Sequence, residues 1–158
     1  MTVIKLERTY PHPPASVWRA LTDRAAVSEW LMKTEDFEAR VGAKFVLRAK
    51  PQPGWRGFVE CEVVECEPEK ALAYTWVGND DGKTMAVRFA LEAVPGGTKL
   101  SFEHSGFTGV GGFLLARLMM GPGWKKMLFT RIPLLLERYA RGEAPTLGPD
   151  ASCAHAET

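Results

Sequence analysis

Apolar and polar positions change period along this chain, and each change marks an element. Ile4 and Leu6 alternate with Lys5 and Glu7, the two-residue period of a strand. Pro11, Pro13 and Pro14 end it. Val17, Trp18 and Leu21 then give a helical face, with the prolines at its first turn. Thr22-Asp23 offers a cap for a second short helix carrying Ala26, Val27, Trp30 and Leu31.

From Phe37 the period is two again. Phe45 and Leu47 alternate with Lys44, Val46 and Arg48, and Pro51–Gly54 is a turn. Across Phe58–Glu67, Val59, Cys61 and Val63 form the inward set and Glu60 and Glu62 the outward one. The alternation slips by one at Val63-Val64, which predicts a β-bulge. Leu72, Tyr74 and Trp76 share a face of the next strand, Val87, Phe89 and Leu91 of the one after, and Leu100, Phe102 and His104 of the last. The links between them are short, with Asp-Gly at Asp81-Gly82 and Pro95-Gly96-Gly97, so the strands form an antiparallel meander.

After Gly106–Gly112 the chain turns helical. Phe113–Met120 is strongly apolar and is predicted as two helical turns, stopped by Gly121-Pro122-Gly123. Pro122 is placed to start the last helix. Trp124, Leu128, Ile132, Leu135 and Tyr139 make one stripe of it. Pro133 removes a backbone bond inside that helix and predicts a kink within the preceding turn. Gly142 ends it. The order predicts an α+β fold: a curved antiparallel sheet wraps around one long C-terminal helix, with two short helices after the first strand. Residues 1–142 are expected to form one domain, and 143–158, rich in Ala and Pro, a disordered tail.

Composition narrows the function. The 158 residues are 46% hydrophobic and 25% charged, an ordinary globular mix, and the formal net charge is +1. That balance draws neither nucleic acid nor an anionic membrane from long range, so no nucleic-acid partner is expected. Lys125, Lys126, Arg131, Arg138 and Arg141 are read as the solvated face of the last helix. Met1–Tyr10 carries charge where a secretory signal would be apolar, and no apolar run approaches the roughly 20 residues of a membrane span. Cys61, Cys66 and Cys153 make no disulfide framework, which fits a reducing cytoplasm.

Chemistry-bearing patterns are few. No His-x-x-x-His or Cys-x-x-Cys spacing implies a metal, no glycine loop cradles phosphate, and no Ser nucleophile elbow is present, so no cofactor or metal is expected and no catalytic residue is assigned. His104 alone of the three histidines shares the inward set. It is read as a buried histidine bonded to a neighbour, as a polar anchor for a ligand oxygen, or as a general base. Glu103, adjacent on the strand, faces the other way and cannot pair with it locally. The aromatics Tyr74, Trp76, Phe89, Phe102 and Trp124 either line a cavity or fill it. Phe113–Met120 is core, a lid hinged on flanking glycines, or an exposed patch that meets a second copy.

Together the motifs resemble a known family. TYPHPPASVWRALTD, then VSEWL, GFVECEVVECEPEKALAYTW, TKLSFEHSGF and the GW opening the last helix are similar in order and spacing to the SRPBCC or START-like superfamily. Within it the chain is most similar to the branch related to the C-terminal domain of the Hsp90 ATPase activator, over residues 3–141. The resemblance implies a helix-grip fold. It also implies a choice of roles: binding a hydrophobic ligand, binding a chaperone, or cyclising a polyketide. The segment 113–120, commonly polar in that branch, is apolar here. The leading expectation is a non-catalytic or weakly catalytic binding protein for a small apolar molecule lined by Trp76, Phe102, His104, Phe113, Met120, Trp124 and Leu128. That expectation needs a pocket of roughly 300 Å3 or more between sheet and helix. An interaction module would instead show a large apolar surface patch.

Overall fold

The computed structural model describes residues 2–144. Strand β1 (Thr2–Tyr10) leads into α1 (Pro14–Thr22) and α2 (Arg24–Trp30). The strands β2 (Lys33–Thr34), β3 (Lys44–Arg48), β4 (Phe58–Glu67), β5 (Ala71–Trp76), β6 (Met85–Val94) and β7 (Gly97–Phe107) follow. They form one seven-stranded sheet in the order β1-β7-β6-β5-β4-β3-β2. Every neighbouring pair is antiparallel. The short β2 has no alternating signature of its own and was not expected. The slip read at Val63-Val64 is a register shift between Val63 and Glu65. A bulge there increases the local twist and helps to bend the sheet.

Asp23 caps α2 as the sequence suggests: its carboxylate accepts from the backbone N–H of Ala25 at 2.8 Å and of Ala26 at 3.3 Å. The two short helices bury Val17, Ala20, Leu21, Ala26, Val27 and Trp30 against the rest of the core. That burial holds helices which are too short to persist alone.

The last helix differs from expectation in one respect. Gly121-Pro122-Gly123 does not interrupt it. A single rod runs through α3 (Gly109–Leu115), a π-helical turn (Ala116–Met120), α4 (Gly121–Lys126), a second π-helical turn (Met127–Arg131) and α5 (Ile132–Ala140). Each π-turn ends two residues before a proline, Pro122 or Pro133. A proline has no N–H to donate and its ring clashes with the carbonyl four residues back. Widening the preceding turn moves that carbonyl away. Gly121 donates to Ala116 O and Ile132 to Met127 O, each five residues back. The irregularity expected before Pro133 is therefore a widened turn.

That widening leaves Leu128 O without a helical donor. Ile132 N–H is already given to Met127 O, and Pro133 has none to give. Tyr10 supplies it. The last residue of β1 donates its hydroxyl to Leu128 O at 2.6 Å, across 118 positions of sequence. Tyr10→Phe is expected to cost about 1–3 kcal/mol, the penalty of a buried carbonyl with no donor, and to lower the urea midpoint accordingly. A neutral result would mean that water reaches Leu128 O.

Past α5, Gly142 at φ +81° turns the chain out of the helix. Gly142 N–H donates to Tyr139 O and Glu143 N–H to Arg138 O, the paired bonds of a Schellman cap. Residues 145–158 of the expected tail, including Cys153, lie outside the described residues.

Candidate functional site

Three elements converge at the centre of the grip. β5, β6 and β7 each offer one face of alternating side chains, so Tyr74 and Trp76, Val87 and Phe89, and Phe102 and His104 point the same way. All are buried. The rod lays Trp124 over them. Its ring centroid lies 4.3 Å from Phe102, 5.5 Å from Trp76, 5.9 Å from His104 and 6.3 Å from Phe89. Trp30 closes the other side, 6.5 Å from Trp124 and edge-on to Phe89 at 6.0 Å. Phe107 packs at a tilt against His104, with ring centroids 4.7 Å apart.

Of the seven residues expected to line a ligand site, Trp76, Phe102, His104, Trp124 and Leu128 are brought together here and buried. Met120 is half-buried at the edge of this core. Phe113 is elsewhere: it is 45% exposed, with the Arg117 guanidinium 5.7 Å from its ring centre. These buried rings pack on one another. Trp30 and Phe107 belong to the same cluster and were not in the predicted set. Trp30 was legible as the apolar face of α2, but nothing local says that this face meets β6. Phe107 follows Gly106, beyond the alternating run, so its pattern gives no direction.

His104 is the polar member. Trp124 Nε1–H donates to His104 Nδ1 at 3.0 Å, and both residues are fully buried. Nδ1 thus accepts, and the ring proton sits on Nε2. That Nε2 has no hydrogen-bond partner. Burial among aromatic rings pushes the imidazole pKa down to about 3, because the charged form would lose its hydration. The neutral ring can donate one more hydrogen bond. It can take up a proton only by giving up Trp124. Of the three readings of His104, the geometry matches the buried, neighbour-bonded one.

Among the described residues, polar clefts open on the surface, one of them reaching Phe102 from the outer side. One of about 350 Å3 is lined by Lys5, Glu7, Arg88 and Glu103 on the outer side of the sheet, and one of about 330 Å3 by Arg24, Asp36, Glu38 and Arg40. Their walls are ion-paired: Lys5 with Glu103, Arg40 with Glu38, and Arg88 with Glu65 beside the first. Among the described residues no cluster of His, Cys, Asp or Glu is arranged to hold a metal ion.

The rod's other side is unlike either cleft. Val110, Phe113, Leu114, Leu118, Met119 and Leu134 are all exposed, while Ala116, Trp124, Leu128 and Ile132 face the sheet. Between Glu103 and Glu137 there is no acidic residue.

A sheet gripping a C-terminal rod, with two small helices between the first strands, is the architecture that the motifs implied. The family model described as "Activator of Hsp90 ATPase homolog 1-like protein" matches residues 11–137. The chain belongs to this family. Among solved structures, protein MLL2253 from Mesorhizobium loti is 36% identical, with a TM-score of 0.73 over 87% of this chain and 98% of that one. CalU16 from Micromonospora echinospora is 25% identical, with a TM-score of 0.65 over 98% of this chain and 82% of that one. The Aha1 dimer from Colwellia psychrerythraea shares the fold at 21% identity, with a TM-score of 0.65 over 82% and 92% of the two chains. A search of curated proteins gives no match. Within this activator-like family, then, the chain combines a grip packed with aromatic rings and an apolar outer helix face without acidic residues from 104 to 136.

Proposed function

We propose that this chain is a docking module whose working surface is the outward face of the rod. One observation carries the reading: Val110, Phe113, Leu114, Leu118 and Met119 are five large apolar side chains within ten residues, each 45–77% exposed. Large apolar side chains exposed this close together mark a binding surface. The grip behind it is packed with tilted and edge-on rings and serves as the scaffold. The family's name and the Colwellia dimer describe proteins that assemble with other macromolecules, a chaperone or a second copy, and support the same direction. The free thiols of Cys61 and Cys66 suit a reducing compartment such as the cytoplasm.

A second reading keeps a small apolar ligand inside the grip, against Trp76, Phe102, His104, Trp124 and Leu128, with Met120 at its edge. His104 Nε2 favours it. A buried N–H without an acceptor costs about 1–3 kcal/mol, which a ligand oxygen would recover. Such a ligand would have to displace rings, and the two π-turns on either side of Trp124 mark where the rod would give.

One titration separates the two. The dye 1-anilinonaphthalene-8-sulfonate brightens on apolar protein surface. The double variant Leu114→Glu/Leu118→Glu is expected to lose most of that signal, a severalfold drop, and His104→Leu to keep it. The reverse pattern would place the binding site within the grip and overturn the docking reading.

A further inference from the structure

The docking reading leaves the nature of the docked surface open, and the charge on the rod narrows it. Leu114, Leu118, Pro122 and the pair Lys125-Lys126 recur every three to four residues along one exposed side, with Arg117 beside them. Residues 104–136 contain no Asp or Glu. Among the described residues none of Arg117, Lys125 and Lys126 is in an ion pair, whereas Lys5, Arg88 and Lys99 on the sheet each are. An exposed helix face with bulky apolar side chains at one end and unpaired cations at the other lies in the boundary layer of an anionic bilayer.

Resting on the docking reading, we infer that the outward face of the rod binds an anionic lipid surface. The apolar residues enter the acyl boundary, and Arg117, Lys125 and Lys126 meet the headgroups. A second copy fits this face less well: a parallel two-fold pairing would bring the same cations together, and an antiparallel one would set them against apolar side chains that cannot neutralise them. A protein groove fits it less well too. A groove must place an apolar floor and fixed acidic groups opposite this particular pattern of side chains. A fluid headgroup layer needs no such match. No helix among the described residues is long and apolar enough to cross a membrane, so the rod lies along the surface. With a net charge of +1 the whole protein is not steered from a distance. The attraction is local and acts within about a Debye length, near 8–10 Å.

The test is co-sedimentation of the full chain with vesicles of phosphatidylcholine alone or mixed with phosphatidylglycerol. Oligomeric state is measured in parallel by sedimentation velocity. Wild-type protein is expected to partition onto the mixed vesicles about 100-fold more strongly than onto phosphatidylcholine, with the gain lost at high salt. Each cation near such a surface contributes about a fivefold gain, so Lys125→Gln/Lys126→Gln is expected to lose about 25-fold. Leu118→Glu, at an exposed position that does not bear on folding, is expected to abolish binding. Equal partitioning onto both vesicle types, or onto neither, would overturn the lipid inference. So would a dimer that Leu118→Glu dissolves, since that gives the face to a second copy. In the last two cases the dye titration still decides whether the face docks at all, so the two readings fail separately.

Discussion

Lowering the pH from 6 to 4 is expected to cost this protein about 2–3 kcal/mol of stability through His104 alone. In the unfolded chain this imidazole takes up a proton near its ordinary pKa of about 6.5. In the fold, burial among Trp76, Phe107 and Trp124 holds it neutral until about pH 3. Between those values the unfolded state binds a proton that the native state refuses, and each pH unit shifts the balance by up to about 1.4 kcal/mol toward unfolding. The loss begins below about pH 6.5 and levels off near pH 3. Glu65, held below the usual carboxylate range by hydrogen bonds to Arg88, adds a loss in the same direction only at lower pH. His104→Gln keeps an acceptor for Trp124 and does not titrate. Urea midpoints for the two proteins between pH 7 and 4 are expected to diverge, the variant staying nearly flat down to the carboxylate range. Parallel curves would show that His104 is protonated or hydrated in the native state.

Trp124→Ala is the substitution expected to do the most damage. The indole is fully buried and touches the rings of Trp30, Trp76, Phe89, Phe102 and His104. Removing such a side chain from a packed interior costs about 3–5 kcal/mol, a fall of roughly 10–15 °C in Tm for a chain of this size. Trp124→Phe keeps a ring but strips His104 Nδ1 of its donor, for about 1–3 kcal/mol. The alanine variant should also blunt the acid sensitivity, because water entering the cavity would rehydrate the imidazole. A calorimetric loss under about 1 kcal/mol would show that the rod does not grip the sheet through this residue.

Legibility followed the range of the interactions. The strands were readable because a half-buried strand alternates over a few residues, and even the bulge announced itself as a slip at Val63-Val64. The Asp23 cap and the Gly142 stop are local chemistry and were equally plain. Gly121-Pro122-Gly123 misled, since glycine and proline usually end a helix. What overrode them is tertiary: Ala116 and Trp124 are buried on the same side of one rod, and the π-turns absorb the prolines. The aromatic cluster was half legible. Trp76, Phe102, His104 and Trp124 each showed an inward register, but register does not say whether inward rings surround a space or fill it.

Phe113–Met120 shows the same boundary from the other side. Its composition allowed core, lid or surface, because an apolar helix has no polar face to say which way it turns. Only the packing of Trp124, Leu128 and Ile132 onto the sheet leaves Leu114 and Leu118 outward. By itself the sequence determined the elements, their order and the direction each side chain takes from its own backbone, all of which are set within a few residues. The tertiary structure decided which faces meet, and with that the neutral state of His104, the rescue of Leu128 O by Tyr10 and the bare side of the rod. Those depend on residues tens of positions apart, and no local period encodes such a distance.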